Sequence, residues 1–153
     1  MDVGERLAAL GLTLPPPAGA AANYLPFVRH GDLLFISGQL PIQAGTVAVK
    51  GKVGETVTPE RAYEAARLCA LGVLGQIRTA LDGDWQWLDR FIRITGFVAS
   101  APGFTDQHLV VNGASDLLVE VLGDRGRHAR AAVGTAVLPL DAAVEVDAIV
   151  ALR

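Results

Sequence analysis

One cysteine, Cys69, in a chain of 153 residues excludes an intramolecular disulfide framework and fits a reducing compartment. His30, His108 and His128 are the only histidines and stand far apart, with no His-x-x-x-His or Cys-x-x-Cys pattern, so neither a metal site nor a cofactor is expected. No Gly-x-Ser-x-Gly elbow supports a serine hydrolase. Thirteen basic against sixteen acidic residues leave a net charge of −3, without the basic face of a nucleic-acid binder. The only basic cluster runs from Arg125 to Arg130, and it follows a predicted helix where a phosphate cradle would precede one. No apolar run approaches the length of a membrane span. The opening residues, Met1 to Arg6, lack the basic start and apolar core of a signal peptide. A soluble cytoplasmic protein is expected, with neither membrane nor nucleic acid as a partner.

What is abundant is apolar: 51% of residues are hydrophobic and 19% charged, which excludes disorder. The length suits one domain, residues 1–153, with residues 1–22 as an N-terminal arm. A short helix over residues 3–10 is stopped by Pro15-Pro16-Pro17, and Gly19 to Asn23 reads as loop. Two strands flank the turn His30-Gly31-Asp32, and Thr46 to Lys50 is a short third strand. Thr58-Pro59-Glu60 starts a helix that runs to about Leu81, with Ala62, Ala65, Ala66, Cys69, Val73, Gln76, Ile77 and Ala80 forming its inward stripe. Arg90 to Ala99, apolar on both faces, suits the middle of a covered sheet. A second helix over Thr105 to Leu122 should bury Leu109, Leu117, Leu118 and Val121. Residues from His128 and from Val144 read as two closing strands joined by a tight turn near Leu140. The order is β-β-β-α-β-α-β-β, an α+β fold with two helices on one face of a mixed sheet. The other face still carries Ile, Val and Phe side chains, and a symmetric oligomer is the economical cover.

Charges inside strands this apolar cost free energy unless they are paired, hydrated or used. Arg130 opens the first closing strand; it can grip a carboxylate bidentately or make a structural ion pair. Alternation puts Val144, Val146, Ala148 and Val150 on one sheet face and Glu145, Asp147, Ile149 and Ala151 on the other. Glu145 can act as general base or acid if partial burial tunes it, or can be a solvated strand carboxylate. In a hairpin, Glu145 falls opposite Thr135 or Ala136, roughly five residues out of register with Arg130, so a shared site would need a neighbouring subunit. Ser37-Gly38-Gln39 offers a hydroxyl and a backbone open to close approach, or is only a strand-ending turn. Tyr24 and Asn112 are polar groups able to meet a ligand. Cys69 lies on an inward helical stripe and reads as an inert thiol.

Together these stretches resemble the YjgF/RidA (reactive intermediate deaminase) family. The resemblance rests on the Tyr24 strand, Leu34 to Pro41, Asn112, Ala129 to Val133, Leu138-Pro139, and Val144 to Ile149. It implies a chorismate-mutase-like α+β fold and a homotrimer whose sheets close into a barrel, with clefts between subunits. It further implies hydrolysis of small 2-imino acids to 2-oxo acids and ammonia. In that reading Arg130 holds the substrate carboxylate, Glu145 handles water and proton transfer, and Tyr24, Ser37, Gly38 and Asn112 line the pocket. Rival readings are a non-catalytic trimeric binder of small carboxylates and a ribonuclease, an activity reported for some relatives. Ala132 stands where the family often has cysteine, and the Gly123-to-His128 loop carries one extra residue, which mark a divergent branch.

Overall fold

The computed structural model describes residues 2–17, 19 and 22–153. Helix α1 (Val3–Ala9) is capped by Asp2, whose side chain accepts from the Glu5 amide while Glu5 reaches back to the Asp2 amide. Val3 and Leu7 anchor it in the core. The loop expected over Gly19 to Asn23 lies partly outside the described residues.

Strands β1 (Phe27–His30) and β2 (Leu33–Gln39) form the expected hairpin around Gly31-Asp32, where Gly31 supplies φ 60°. The third strand is shorter than expected. It is β4 (Thr46–Val47), paired only with β3 (Ile42–Gln43) and separate from the main sheet. Helix α2 (Pro59–Ala80) starts where Thr58 caps the Arg61 amide, a cap of about 1 kcal/mol. Its buried face follows the predicted stripe from Ala62 to Ile77 and widens to Ala70, Leu74 and Gly75, while Ala80 is only partly buried.

Strand β5 (Leu88–Ala99) leads into helix α3 (Gln107–Leu122), then to β6 (Ala129–Thr135) and β7 (Val144–Leu152). The main sheet has the order β1-β2-β7-β5-β6, with β5 and β6 parallel and the other pairs antiparallel. The closing strands therefore do not form the expected hairpin, because β5 lies between them. The reason is packing: β5, the longest strand, buries Leu88, Phe91, Ile94 and Val98 in the core and takes a place between β7 and β6, and the small-residue strand β6 is left at the edge. Glu145 accordingly stands in one row with Phe97 and Val133, not opposite Thr135 or Ala136.

Both long helices pack on one face of the sheet. They approach closely at Gly113, where a Cβ would overlap the Tyr63 carbonyl. Tyr63 Oη donates to Asp116 at 2.7 Å, and Arg67 makes a fork with Glu120 at 3.2 Å, tying the helices along their outer seam. Val144, Val146, Ala148 and Val150 face the helices as alternation predicts. Leu109 does not: it is 49% exposed, because the inward phase of α3 runs through Val110, Ala114, Leu117, Leu118 and Val121. Among the described residues no helix is long and apolar enough to cross a membrane.

The opposite face of the sheet is open. Val28, Phe35 and Val133 lie on it and are between 41% and 49% exposed.

Candidate functional site

The expected site residues fall into two groups on different parts of the chain. The first surrounds Glu145 on the open face. Between Ile36 and Gln39, β2 carries one residue more than its partner β7, and Ser37 and Gly38 occupy this bulge. The Ser37 amide donates to the Pro26 carbonyl at 3.0 Å, and its hydroxyl donates to the Leu25 carbonyl at 2.6 Å. Those two bonds fix the bulge against the loop that carries Tyr24, itself 48% exposed. Gly38 presents bare backbone to Glu145: a Cβ at position 38 would overlap Glu145 Oε1 and stand 2.8 Å from its Cδ.

Glu145 is half-buried, and burial raises its carboxyl above the usual glutamate value, with the charge of Asp147 adding to the effect. Asp147 is itself tied down, accepting from the Thr95 amide at 3.1 Å. Among the described residues nothing donates a hydrogen bond to Glu145. Its carboxyl group stands on the open side of the sheet, opposite the face that Val144 and Val146 turn to the core.

The second group surrounds Arg130 on the helix side of edge strand β6. Arg130 Nη1 donates to Ser115 Oγ at 3.1 Å and Nη2 donates to the His108 carbonyl at 3.0 Å. His108, Asn112 and Ser115 follow i, i+4, i+7 spacing on α3, so Asn112 shares the stripe that holds the guanidinium. Among the described residues no carboxylate lies within ion-pair distance of Arg130. Its charge is held by neutral acceptors, and part of its donor fork remains unassigned.

Ser115 and His128 were not anticipated. Ser115 Oγ is 2.9 Å from His128 Nε2, and His128 Nδ1 is 2.6 Å from the Gly126 carbonyl oxygen. A signal was present: His128 lies two positions before Arg130, which puts both on one side of an extended chain, and Ser115 lies one turn beyond Asn112.

Within one chain the groups do not meet. β2 and β6 are three strand spacings apart, about 14 Å. Arg130 and Glu145 also point to opposite faces of the sheet, since Arg130 pairs with Ile94 and Ile94 with Ala148. The larger concavities lie elsewhere, about 500 Å³ beside Trp85 and Trp87 and about 600 Å³ beside Pro15 to Pro17. Among the described residues no cluster of His, Cys, Asp and Glu gathers to hold a metal ion.

The family profile described as "YjgF/chorismate mutase-like, putative endoribonuclease" matches residues 4–152. The chain belongs to the YjgF/RidA family. One relative, Protein TCP17 of Trypanosoma cruzi, is 46% identical over 152 residues, spanning 99% of this chain and 94% of TCP17. The structure of Atu1372 from Agrobacterium tumefaciens, described as of unknown function, matches with a TM-score of 0.92 at 52% identity. That match covers 99% of this chain and 92% of Atu1372. E. coli TdcF, solved with bound serine, matches with a TM-score of 0.64 at 25% identity, covering 92% of this chain and 95% of TdcF. The α+β, chorismate-mutase-like fold is thus shared with its YjgF/RidA neighbours. Of the positions that the YjgF/RidA resemblance singles out, Tyr24, Ser37, Gly38 and Glu145 make up the first group, and Arg130 and Asn112 the second.

Proposed function

We propose that this protein hydrolyses small reactive 2-imino acids to 2-oxo acids and ammonia, without a cofactor, in clefts between the subunits of a cytoplasmic homotrimer. The observation that carries the reading is Arg130: a guanidinium aimed by two neutral acceptors, with no carboxylate among the described residues at ion-pair distance. Such a fork suits a planar carboxylate. The serine bound to E. coli TdcF supports a small amino-acid-like ligand for the fold.

In this reaction Arg130 binds the substrate carboxylate and fixes the imine carbon beside a water molecule. Glu145, ionised, removes a proton as the water oxygen bonds to the imine carbon, and the C=N electron pair moves onto nitrogen. The same carboxyl then returns that proton to nitrogen. Glu145 next takes the hydroxyl proton of the resulting carbinolamine and passes it to the amine, so the carbonyl forms as the C–N bond breaks and ammonia leaves. One group serving as base and then acid works best when its proton affinity lies near the working pH, the direction in which burial moves Glu145. Tyr24, Ser37, Gly38 and Asn112 line the cleft. Holding the imine against a positioned water supplies the rest, chiefly as proximity.

A second subunit is needed because the two groups of one chain face apart. The open sheet face, with Val28, Phe35 and Val133 uncovered, supports a symmetric interface that brings Arg130 of one copy toward Glu145 of the next. The direct test generates 2-iminobutanoate with a dehydratase and follows its decay with wild-type and Arg130→Ala protein. Faster decay with the wild type alone is expected, and equal rates reject the assignment. Two other readings have separate outcomes. Ligand binding lost on Arg130→Ala with no effect on imine decay selects a non-catalytic carboxylate binder. RNA cleavage that survives stringent purification selects the endoribonuclease in the family's description.

A further inference from the structure

We propose that His128, acting through the Ser115 hydroxyl, is a positioning residue that aims Arg130. The inference rests on Arg130 being the carboxylate clamp described above.

Chemistry fixes the polarity of each link. An arginine only donates and a carbonyl only accepts. Arg130 Nη1 donates to Ser115 Oγ, which therefore acts as acceptor on that side and must send its own proton elsewhere. The acceptor at hand is His128 Nε2, 2.9 Å away. The Gly126 carbonyl, 2.6 Å from Nδ1, takes the ring's single proton. One tautomer satisfies the whole chain: protonated at Nδ1 and bare at Nε2. The backbone turn over Gly123–Gly126 thus orients the imidazole, the imidazole orients the hydroxyl, and the hydroxyl holds one arm of the guanidinium. The other arm rests on the His108 carbonyl.

The arrangement requires a neutral ring. A proton on Nε2 would aim two cationic donors at Ser115 Oγ and leave the serine hydroxyl proton without its acceptor. Burial lowers the proton affinity of His128, and the Arg130 charge acts in the same sense against the Gly126 carbonyl. The charged surroundings agree. Arg130 approaches from β6, and Arg90 of β5 donates to the Arg127 carbonyl. Arg125 and Arg127 flank the turn, and Asp124 is taken by Arg127. On α3 the His108 ring is exposed, while Asp116 and Glu120 are engaged by Tyr63 and Arg67. No free carboxylate among these would hold a proton on the ring.

The test is titration of 2-oxobutanoate into wild type, Arg130→Ala, Ser115→Ala, Ser115→Thr and His128→Gln at about pH 8 and about pH 4, the lower value set well beneath an ordinary histidine because burial lowers this ring's proton affinity. Loss of the hydroxyl is expected to weaken binding about tenfold at the higher pH, the scale of one hydrogen bond to a charged group. Ser115→Thr should restore most of it. Wild type should weaken at the lower pH more than Ser115→Ala, whose clamp no longer reads the ring, and His128→Gln should lose that difference. Binding abolished by Arg130→Ala but unchanged in Ser115→Ala overturns the relay alone. Equal binding by wild type and Arg130→Ala overturns the clamp and the relay together. If Ser115→Ala does not fold, imidazole nitrogen spectra of the wild type decide: the Nδ1–H form supports the relay, and a dominant Nε2–H form overturns it.

Discussion

Gly38→Ala separates a chemical role for Glu145 from a structural one. Gly38 is not in the left-handed region, so its backbone accepts alanine. Where the conformation fits, that substitution stabilises by about 0.4–1 kcal/mol through the unfolded chain. Opposing this, the new Cβ would stand 2.8 Å from Glu145 Cδ and overlap Oε1. Ordinary carbon contacts begin at about 3.5 Å, so the carboxyl group must withdraw by about 1 Å. It is the far end of a flexible side chain, and an off-rotamer shift costs about 0.5–1.5 kcal/mol. The two effects nearly cancel, so stability should change by less than about 1 kcal/mol. The reaction should suffer far more, because a misplacement of about 1 Å can cost about a hundredfold in rate. The assay is coupled 2-iminobutanoate decay alongside a thermal melt. A folded protein with wild-type melting and a rate lowered by about two orders of magnitude is expected. A rate within a few-fold of wild type would refute the reasoning, and so would a large drop in Tm.

Other consequences follow from the same geometry. Replacing Arg130 by lysine should raise KM for imine or Kd for 2-oxobutanoate at least about tenfold, because the fork is lost while the charge is kept; unchanged affinity by calorimetry would contradict a bidentate clamp. The folded-state pKa of Glu145 is raised, so the native chain holds its proton to higher pH than the unfolded chain does. The contribution is therefore complete below the ordinary glutamate value and is lost as pH rises through the raised one. Glu145→Gln should consequently stabilise more at neutral than at acidic pH, and melts across that range check the sign. Asp147→Asn should move the acid limb of the rate profile downward by removing a neighbouring charge, and a limb that stays in place assigns it to another group. Burial raises the Cys69 thiol well above its usual value, so an aromatic disulfide reagent should leave it untouched in the native protein and modify it on unfolding.

Much of the fold was legible because its signals are local. The Thr58 cap, the alanine stripe of α2 and the alternation of β7 each follow from one element's own periodicity. Pairing was not legible. Nothing in His128 to Ile149 announces that β5 will part the two closing strands, since that choice depends on which strand gains most from protected flanks. Leu109 shows the same limit at smaller scale: its apolar character predicted burial, and the phase of α3 decided otherwise. At the site, residue types carried the reading of Arg130 and Glu145. The contact of Gly38 with Glu145 depends on a bulge, and the link from Arg130 to Ser115 and His128 depends on a crossover that brings α3 over β6.

The central claim, that one catalytic unit draws Arg130 and Glu145 from different subunits, is tested most directly by mixing two inactive variants. Arg130→Ala and Glu145→Gln proteins are dissociated together, reassociated, and assayed for imine decay, with mixed trimers verified by native mass spectrometry. In a random mixture each interface is intact when one neighbour contributes the arginine and the other the glutamate, so about one quarter of wild-type activity should return. Mixed trimers that form and stay as inactive as the parents would contradict the account.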